Sequence, residues 1–192
     1  MMMAVLMACC AVAFAQEAAV EEGAVEQASS PEAELAGIEW VTMAEAIELN
    51  KTEPRKILID FYTDWCGPCK MMDKFTFSNE KIAEYVNANY YAVKFNPEKV
   101  TEDVDFKDIT FRYRKSGRKG MHEFSVMMQG GPNDRTLSYP TTVFLDENLN
   151  RLQPIPGFKR PEDFEKIIVY FAENSYKSTP WPEFERDYKS FL

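Results

Sequence analysis

The chain has 192 residues, 45% of them hydrophobic and 14% aromatic, with 31 acidic against 22 basic side chains and a formal net charge of -9. That length and apolar content suit one compact domain with tails. The acidic balance excludes a general nucleic-acid binder, whose surface needs a positive stripe along the phosphate backbone.

Residues 1–15, MMMAVLMACCAVAFA, form a short apolar run ending in the small-x-small pattern Ala13-Phe14-Ala15. This reads as a signal peptide removed before Gln16, and hence as an exported, periplasmic protein. The run is too short to span a bilayer. No Lys or Arg precedes it, and Leu6-Met7-Ala8-Cys9 resembles a lipobox, so the alternative is a lipoprotein anchored to the membrane through Cys9. In the soluble form Cys9 and Cys10 leave with the leader, and only Cys66 and Cys69 remain, which excludes a disulfide framework. Residues 16–37 carry six Glu and no Lys or Arg and read as an acidic linker, with an amphipathic helix as the alternative.

A folded domain is expected over 38–176. Thr42-Met43-Ala44-Glu45 has capping-box form and predicts a helix from Met43 to Asn50. Lys56 to Tyr62 is a near-continuous apolar run of strand length, as a central strand covered on both faces requires. Its odd member is Asp60. Beyond the cysteines a helix runs from Lys70 to Phe77, Ser78 caps a second through Ile82, Tyr85 and Val86, and Tyr90 to Phe95 is the next strand.

In DITFRYRKSGRKG, Ile109, Phe111 and Tyr113 alternate with polar residues up to a basic turn at Ser116-Gly117, which predicts a strand or hairpin. Arg112, Arg114, Lys115, Arg118 and Lys119 read as a solvated charged face, with docking to an acidic partner as the sharper alternative. Phe124, Met127 and Met128 mark an amphipathic helix preceded by a surface histidine, His122. Thr141 to Leu145, a polar turn at Asp146-Glu147-Asn148 and Arg151 to Ile155 form a hairpin. Pro161 then opens a helix with Phe164, Ile167, Ile168 and Phe171 on one face. In the tail, 177–192, Pro182 starts a short helix and Phe184, Tyr188 and Phe191 form a packed stripe. A β-α-β unit followed by a hairpin and a helix gives an α/β protein whose mixed central sheet carries helices on both faces.

The stretch DWCGPCK admits three readings: half of a metal site, a structural disulfide, or a redox pair. A closed zinc site needs four ligands, and the mature chain offers Cys66, Cys69 and the distant His122, so no metal is assigned. The element order, IDFYTDWCGPCK, SYPT and PGF together resemble the thioredoxin family over roughly Glu39 to Phe171. KFTFSNEKIAEYV and PGFKRPEDF are especially similar to the C-terminal thioredoxin domains of bacterial thiol:disulfide interchange proteins.

The resemblance implies a thioredoxin fold, a cis-proline at Pro140 and an inserted segment over 98–119. It also implies a thiol:disulfide oxidoreductase needing no cofactor beyond the Cys66–Cys69 pair. With a helix beginning at the cysteines, Cys66 meets unpaired amide protons that favour its thiolate and is the nucleophile. Cys69, one turn inward and less exposed, resolves the mixed disulfide. Asp60, raised in pKa by burial, is the candidate base for Cys69, and Lys94 corresponds to the family's buried lysine beside that acid. Candidate substrate-binding residues are Trp65, Gly67, Pro68, Tyr139, Pro140 and Gly157. Tyr139 departs from the aliphatic residue usual before this proline.

The Gly-Pro dipeptide matches reducing members of the family. Partners implied are disulfide-containing exported proteins and a membrane electron donor, with the chain itself a monomer. The alternatives are a disulfide oxidase or isomerase, and a client-binding module in which the redox chemistry is incidental.

Overall fold

A computed structural model describes residues 37–130 and 137–192. The leader over 1–15 and the acidic segment up to residue 36 lie outside the described residues. The α-helices among the described residues are α1 (Met43–Thr52), α2 (Gly67–Met71), α3 (Glu80–Asn89), α4 (Glu123–Gln129), α5 (Pro161–Ala172) and α6 (Trp181–Asp187). The strands are β1 (Trp40–Val41), β2 (Lys56–Phe61), β3 (Tyr90–Phe95), β4 (Val104–Phe106), β5 (Ile109–Phe111), β6 (Tyr113–Ser116), β7 (Lys119–His122), β8 (Thr141–Leu145) and β9 (Arg151–Pro156).

Five strands form one mixed sheet in the order β1-β3-β2-β8-β9. β2 lies at its centre, parallel to β3 and antiparallel to β8, and all six of its residues are buried. Side chains on a strand alternate between faces, and here the alternation divides two cores. Leu58 packs with Ala92, Phe144, Phe164 and Ile168 on the face covered by α3 and α5. Ile57, Ile59 and Phe61 pack with Val93, Phe95, Val143 and Phe124 on the face covered by α1 and α4. Even-numbered Asp60 therefore shares the first face, in register with Lys94 on one side and Thr142 on the other.

Several boundaries follow from caps the sequence displays. Thr42 and Glu45 close both bonds of the capping box, the Glu45 amide donating to Thr42 Oγ1 at 3.2 Å and the Thr42 amide to Glu45 Oε2 at 2.7 Å. The cap of α3 is Asn79, one residue beyond the expected Ser78. The Ser78 hydroxyl instead donates back to the Lys74 carbonyl, while Asn79 Oδ1 accepts from the Ile82 amide at 3.1 Å. The expected helix from Lys70 to Phe77 is α2 followed by a π-helical turn over Met72–Phe77.

The expected hairpin in the inserted segment is two hairpins, β4–β5 and β6–β7, each a separate two-stranded sheet. Val104, Phe106 and Phe111 bury against Phe124 of α4. The surface position expected for His122 is wrong: the residue is fully buried as the N-cap of α4. Its Nδ1 accepts from the Phe124 amide at 3.2 Å, so the Nε2 proton points at the Glu102 carbonyl, 3.0 Å away, and the ring stands edge-on to Phe95. A histidine with both nitrogens matched and an aromatic neighbour is cheap to bury.

The tail packs as the aromatic stripe implied, with Trp181, Phe184, Tyr188 and Phe191 against the α5 core. What anchors its end is a residue that periodicity places beside the core rather than in it. Glu165 is fully buried and accepts from the Tyr188 hydroxyl at 2.9 Å, the Ser190 hydroxyl at 2.7 Å and the Phe191 amide at 2.5 Å. Replacing Glu165 with alanine strands three donors, so we expect a loss of about 1–3 kcal/mol in urea denaturation. Faster protease cleavage within 181–192 should accompany it.

Candidate active site

The loop leaving β2 carries the cysteines into α2. Its descent is held by the Cys66 amide on the Thr63 carbonyl at 3.1 Å. Cys66 is the N-cap, with extended backbone, and Gly67, Pro68 and Cys69 form the first turn. Pro68 fits there because its missing amide proton has no intrahelical acceptor. Cys66 Sγ accepts the Cys69 amide proton at 3.0 Å, so the sulfur stands where a side-chain oxygen stands in an ordinary cap. The two sulfurs are joined at 2.02 Å. The expectation that Cys69 is the less exposed of the pair does not hold in this disulfide form, since each residue exposes 2% of its surface. Gly67 and Pro68 between them are open to solvent, and nothing lies within 4 Å of the position a Gly67 Cβ would occupy.

Asp60 is 1% exposed, with Oδ2 at 3.9 Å from Lys94 Nζ and no hydrogen-bond partner for Oδ1 among the described residues. Burial pushes its carboxyl up to about 7, partly offset by Lys94 and reinforced by the charge of Asp73. Lys94 is not a dedicated counter-ion. Its ammonium pairs with Asp73 Oδ1 and sits over the rings of Trp40, Tyr62 and Phe77 at 5.1, 5.2 and 5.4 Å. Asp73 escaped the sequence reading because its partner lies on a different element. An acid seven positions after the first cysteine, on the same helical run, was the available clue.

The opposite wall comes from the sheet. Pairing of Phe61 with Thr141 sets Pro140 beside the end of β2, and the Tyr139–Pro140 peptide bond is cis. The Gly157 amide donates to the Pro140 carbonyl at 2.8 Å, which carries the β8–β9 ladder one step further. Gly157 has φ +81°, a conformation that favours glycine. Tyr139 is half-buried, its ring edge-on to Trp65 with centroids 6.0 Å apart. Trp65 is 67% exposed, and its indole N–H donates to Glu98 Oε2 at 3.0 Å. The structure thus brings together Trp65 with Tyr139, Pro140 with Gly157, and Asp60 with Lys94, around the loop that bears the cysteines.

A five-stranded mixed sheet with a helix-capping Cys-Gly-Pro-Cys pair and an adjacent cis-proline defines the thioredoxin class of protein. Residues 43–172 match the thioredoxin-like domain family, and the chain belongs to it. The thiol:disulfide interchange protein DsbD of Campylobacter jejuni is 30% identical over 118 residues, 62% of this chain but 16% of that protein. The thioredoxin-like protein YneN of Bacillus subtilis is 28% identical, covering 54% of this chain and 57% of the relative. The chain therefore spans about a sixth of the first of these relatives and less than two thirds of the second. Among solved structures, a thioredoxin-fold protein from Helicobacter pylori superposes with a TM-score of 0.52 at 15% identity, covering 69% of this chain and 79% of its own. A thioredoxin from Thermus thermophilus gives 0.50 at 17% identity, covering 81% and 100%. These two likenesses support the fold.

The raised carboxyl of Asp60 fixes the sign of a stability effect. The folded chain holds that proton where the unfolded chain, with an ordinary value near 4, has released it, so ionisation opposes folding. The contribution is full below pH about 4 and is lost as pH rises through about 7. Asp60→Asn should therefore be more stable than the parent at pH 8, by up to on the order of 4 kcal/mol, and should lose that advantage near pH 4. Urea denaturation at the two pH values measures it.

Proposed function

We propose that the chain is a dithiol reductant of disulfides in exported proteins. The observation that carries this reading is the Cys69 amide proton directed at Cys66 Sγ at the start of the helix. With the pair reduced, the same amide favours a thiolate on Cys66. That thiolate attacks one client sulfur, and the other client sulfur leaves as a thiolate that takes a proton from solvent. Cys69 then gives its proton to Asp60 and attacks Cys66 Sγ, releasing the second client sulfur as a thiolate, which is protonated in turn. The client gains two electrons and two protons, and the Cys66–Cys69 disulfide forms.

Another dithiol must supply those electrons again. In an oxidising compartment that donor is expected to be a membrane protein passing electrons from the cytoplasm. The half-buried Tyr139 and the exposed Trp65 flank the dithiol as contact surfaces for the client, whose extended backbone pairs with the segment before Pro140.

Insulin-disulfide reduction with dithiothreitol as donor tests the reading. Cys66→Ser should abolish turnover, and Cys69→Ser should accumulate mixed disulfides with clients in vivo, their identities readable by mass spectrometry. Turnover persisting in Cys66→Ser removes the proposed nucleophile. Undiminished client binding by a double Cys→Ser variant that shows no chemistry would favour a binding module.

A further inference from the structure

The β6–β7 hairpin stands apart from both sheets it neighbours, yet its base is tied to the lip of the dithiol. The Tyr139 hydroxyl donates to Met121 Sδ on β7 at 3.6 Å. The Tyr113 hydroxyl of β6 reaches the carbonyl of Glu98, whose carboxylate holds Trp65, and the His122 amide donates to the Pro97 carbonyl at 2.9 Å. Across the hairpin the Tyr113 ring covers Gly120 so closely that a Cβ there would overlap it. A glycine at that point leaves room for the ring against the backbone.

The outer half of the arm is cationic without compensation. From Ile109 to His122 there is no acidic residue, while Arg112, Arg114, Lys115, Arg118 and Lys119 supply five cations. Arg112 pairs with Asp103 and Arg114 with Glu123. Lys115, Arg118 and Lys119 are exposed and enter no ion pair among the described residues. Beside the arm runs a groove of about 620 Å³ whose apolar wall includes Ile109, Phe111, Met121 and Leu137, with the mutually paired Arg114 and Glu123 also lining it. Leu137 lies two residues before Tyr139, so the groove adjoins the segment with which the proposed client strand would pair. Ile109 on its rim is 54% exposed, a large apolar side chain left in solvent.

We propose that the β6–β7 hairpin is a docking arm selecting disulfide clients whose cysteine is flanked by an extended stretch of apolar and acidic residues. Apolar side chains would enter the groove, and carboxylates would meet Lys115, Arg118 and Lys119. The proposal rests on the dithiol reading above for its chemistry, and on charge and shape for its selectivity.

Two synthetic peptides with a single intramolecular disulfide, one flanked by Asp-Leu repeats and one by Lys-Leu repeats, test it against the reduced full chain. Because the whole chain carries a charge of -9, non-specific attraction favours the basic peptide. The arm predicts the reverse. At low ionic strength the acidic peptide should be reduced about tenfold faster, with the gap closing as salt shortens the screening length. The triple variant K115E/R118E/K119E should invert the order, while the rate with neutral bis(2-hydroxyethyl) disulfide stays unchanged. Anisotropy with serine-for-cysteine peptides reads docking alone and should follow the same order. Equal rates and equal binding for the two peptides, or a preference that survives in the triple variant, would overturn the arm and leave the dithiol reading intact. Selective binding without exchange on any disulfide would do the opposite.

Discussion

Asp60 occupies a strand whose six side chains are all buried, and the ammonium nearest to it, 3.9 Å away, is already engaged by a second acid. A carboxylate so placed keeps its proton to about neutral pH, because ionisation without water costs more than the shared lysine returns. The rest of the site is arranged about this cost. The ladder that buries Asp60 between Lys94 and Thr142 also brings Pro140 to the end of β2 and starts the loop to the cysteines. The acid, the cis-proline and the dithiol are therefore positioned by one register, and a slip of one residue in β2 would turn Asp60 into the opposite core.

The two faces of the sheet have different tasks. The face bearing Asp60 is closed by α3, α5 and the aromatic tail, with Glu165 holding the tail, while around the acid itself stand Lys94, Asp73 and the rings of Trp40, Tyr62 and Phe77 that surround the lysine. The other face is covered by α1, α4 and the inserted hairpins. Glu98, at the start of the inserted segment, holds Trp65, and Met121, on the β7 strand that completes its second hairpin, contacts Tyr139, so the hairpins that border the second core also shape the rim of the site.

Much of this was legible in the sequence where the cause is local. The capping box at Thr42, the apolar run of β2 and the proline opening α5 each express a short-range preference, and α1, β2 and the start of α5 stand within two residues of expectation. His122 and the cap of α3 depart from expectation for a shared reason: a polar side chain next to a helix start can face water or bond the backbone, and the sequence does not say which. The π-helical turn, the second hairpin and the clasp at Glu165 likewise answer to partners tens of residues away.

From composition, spacing and family resemblance the chain alone determined its α/β class, the central strand with one misplaced acid, and a cysteine pair poised at a helix start. Only the tertiary structure decided which cation that acid faces, that Asp73 competes for it, that both cysteines are equally covered when joined, and that a basic hairpin borders Tyr139. The physical reason is range. Caps, turns and strand periodicity are set by neighbours along the chain, whereas the energy of a buried charge depends on every group that the fold brings within a few ångströms of it.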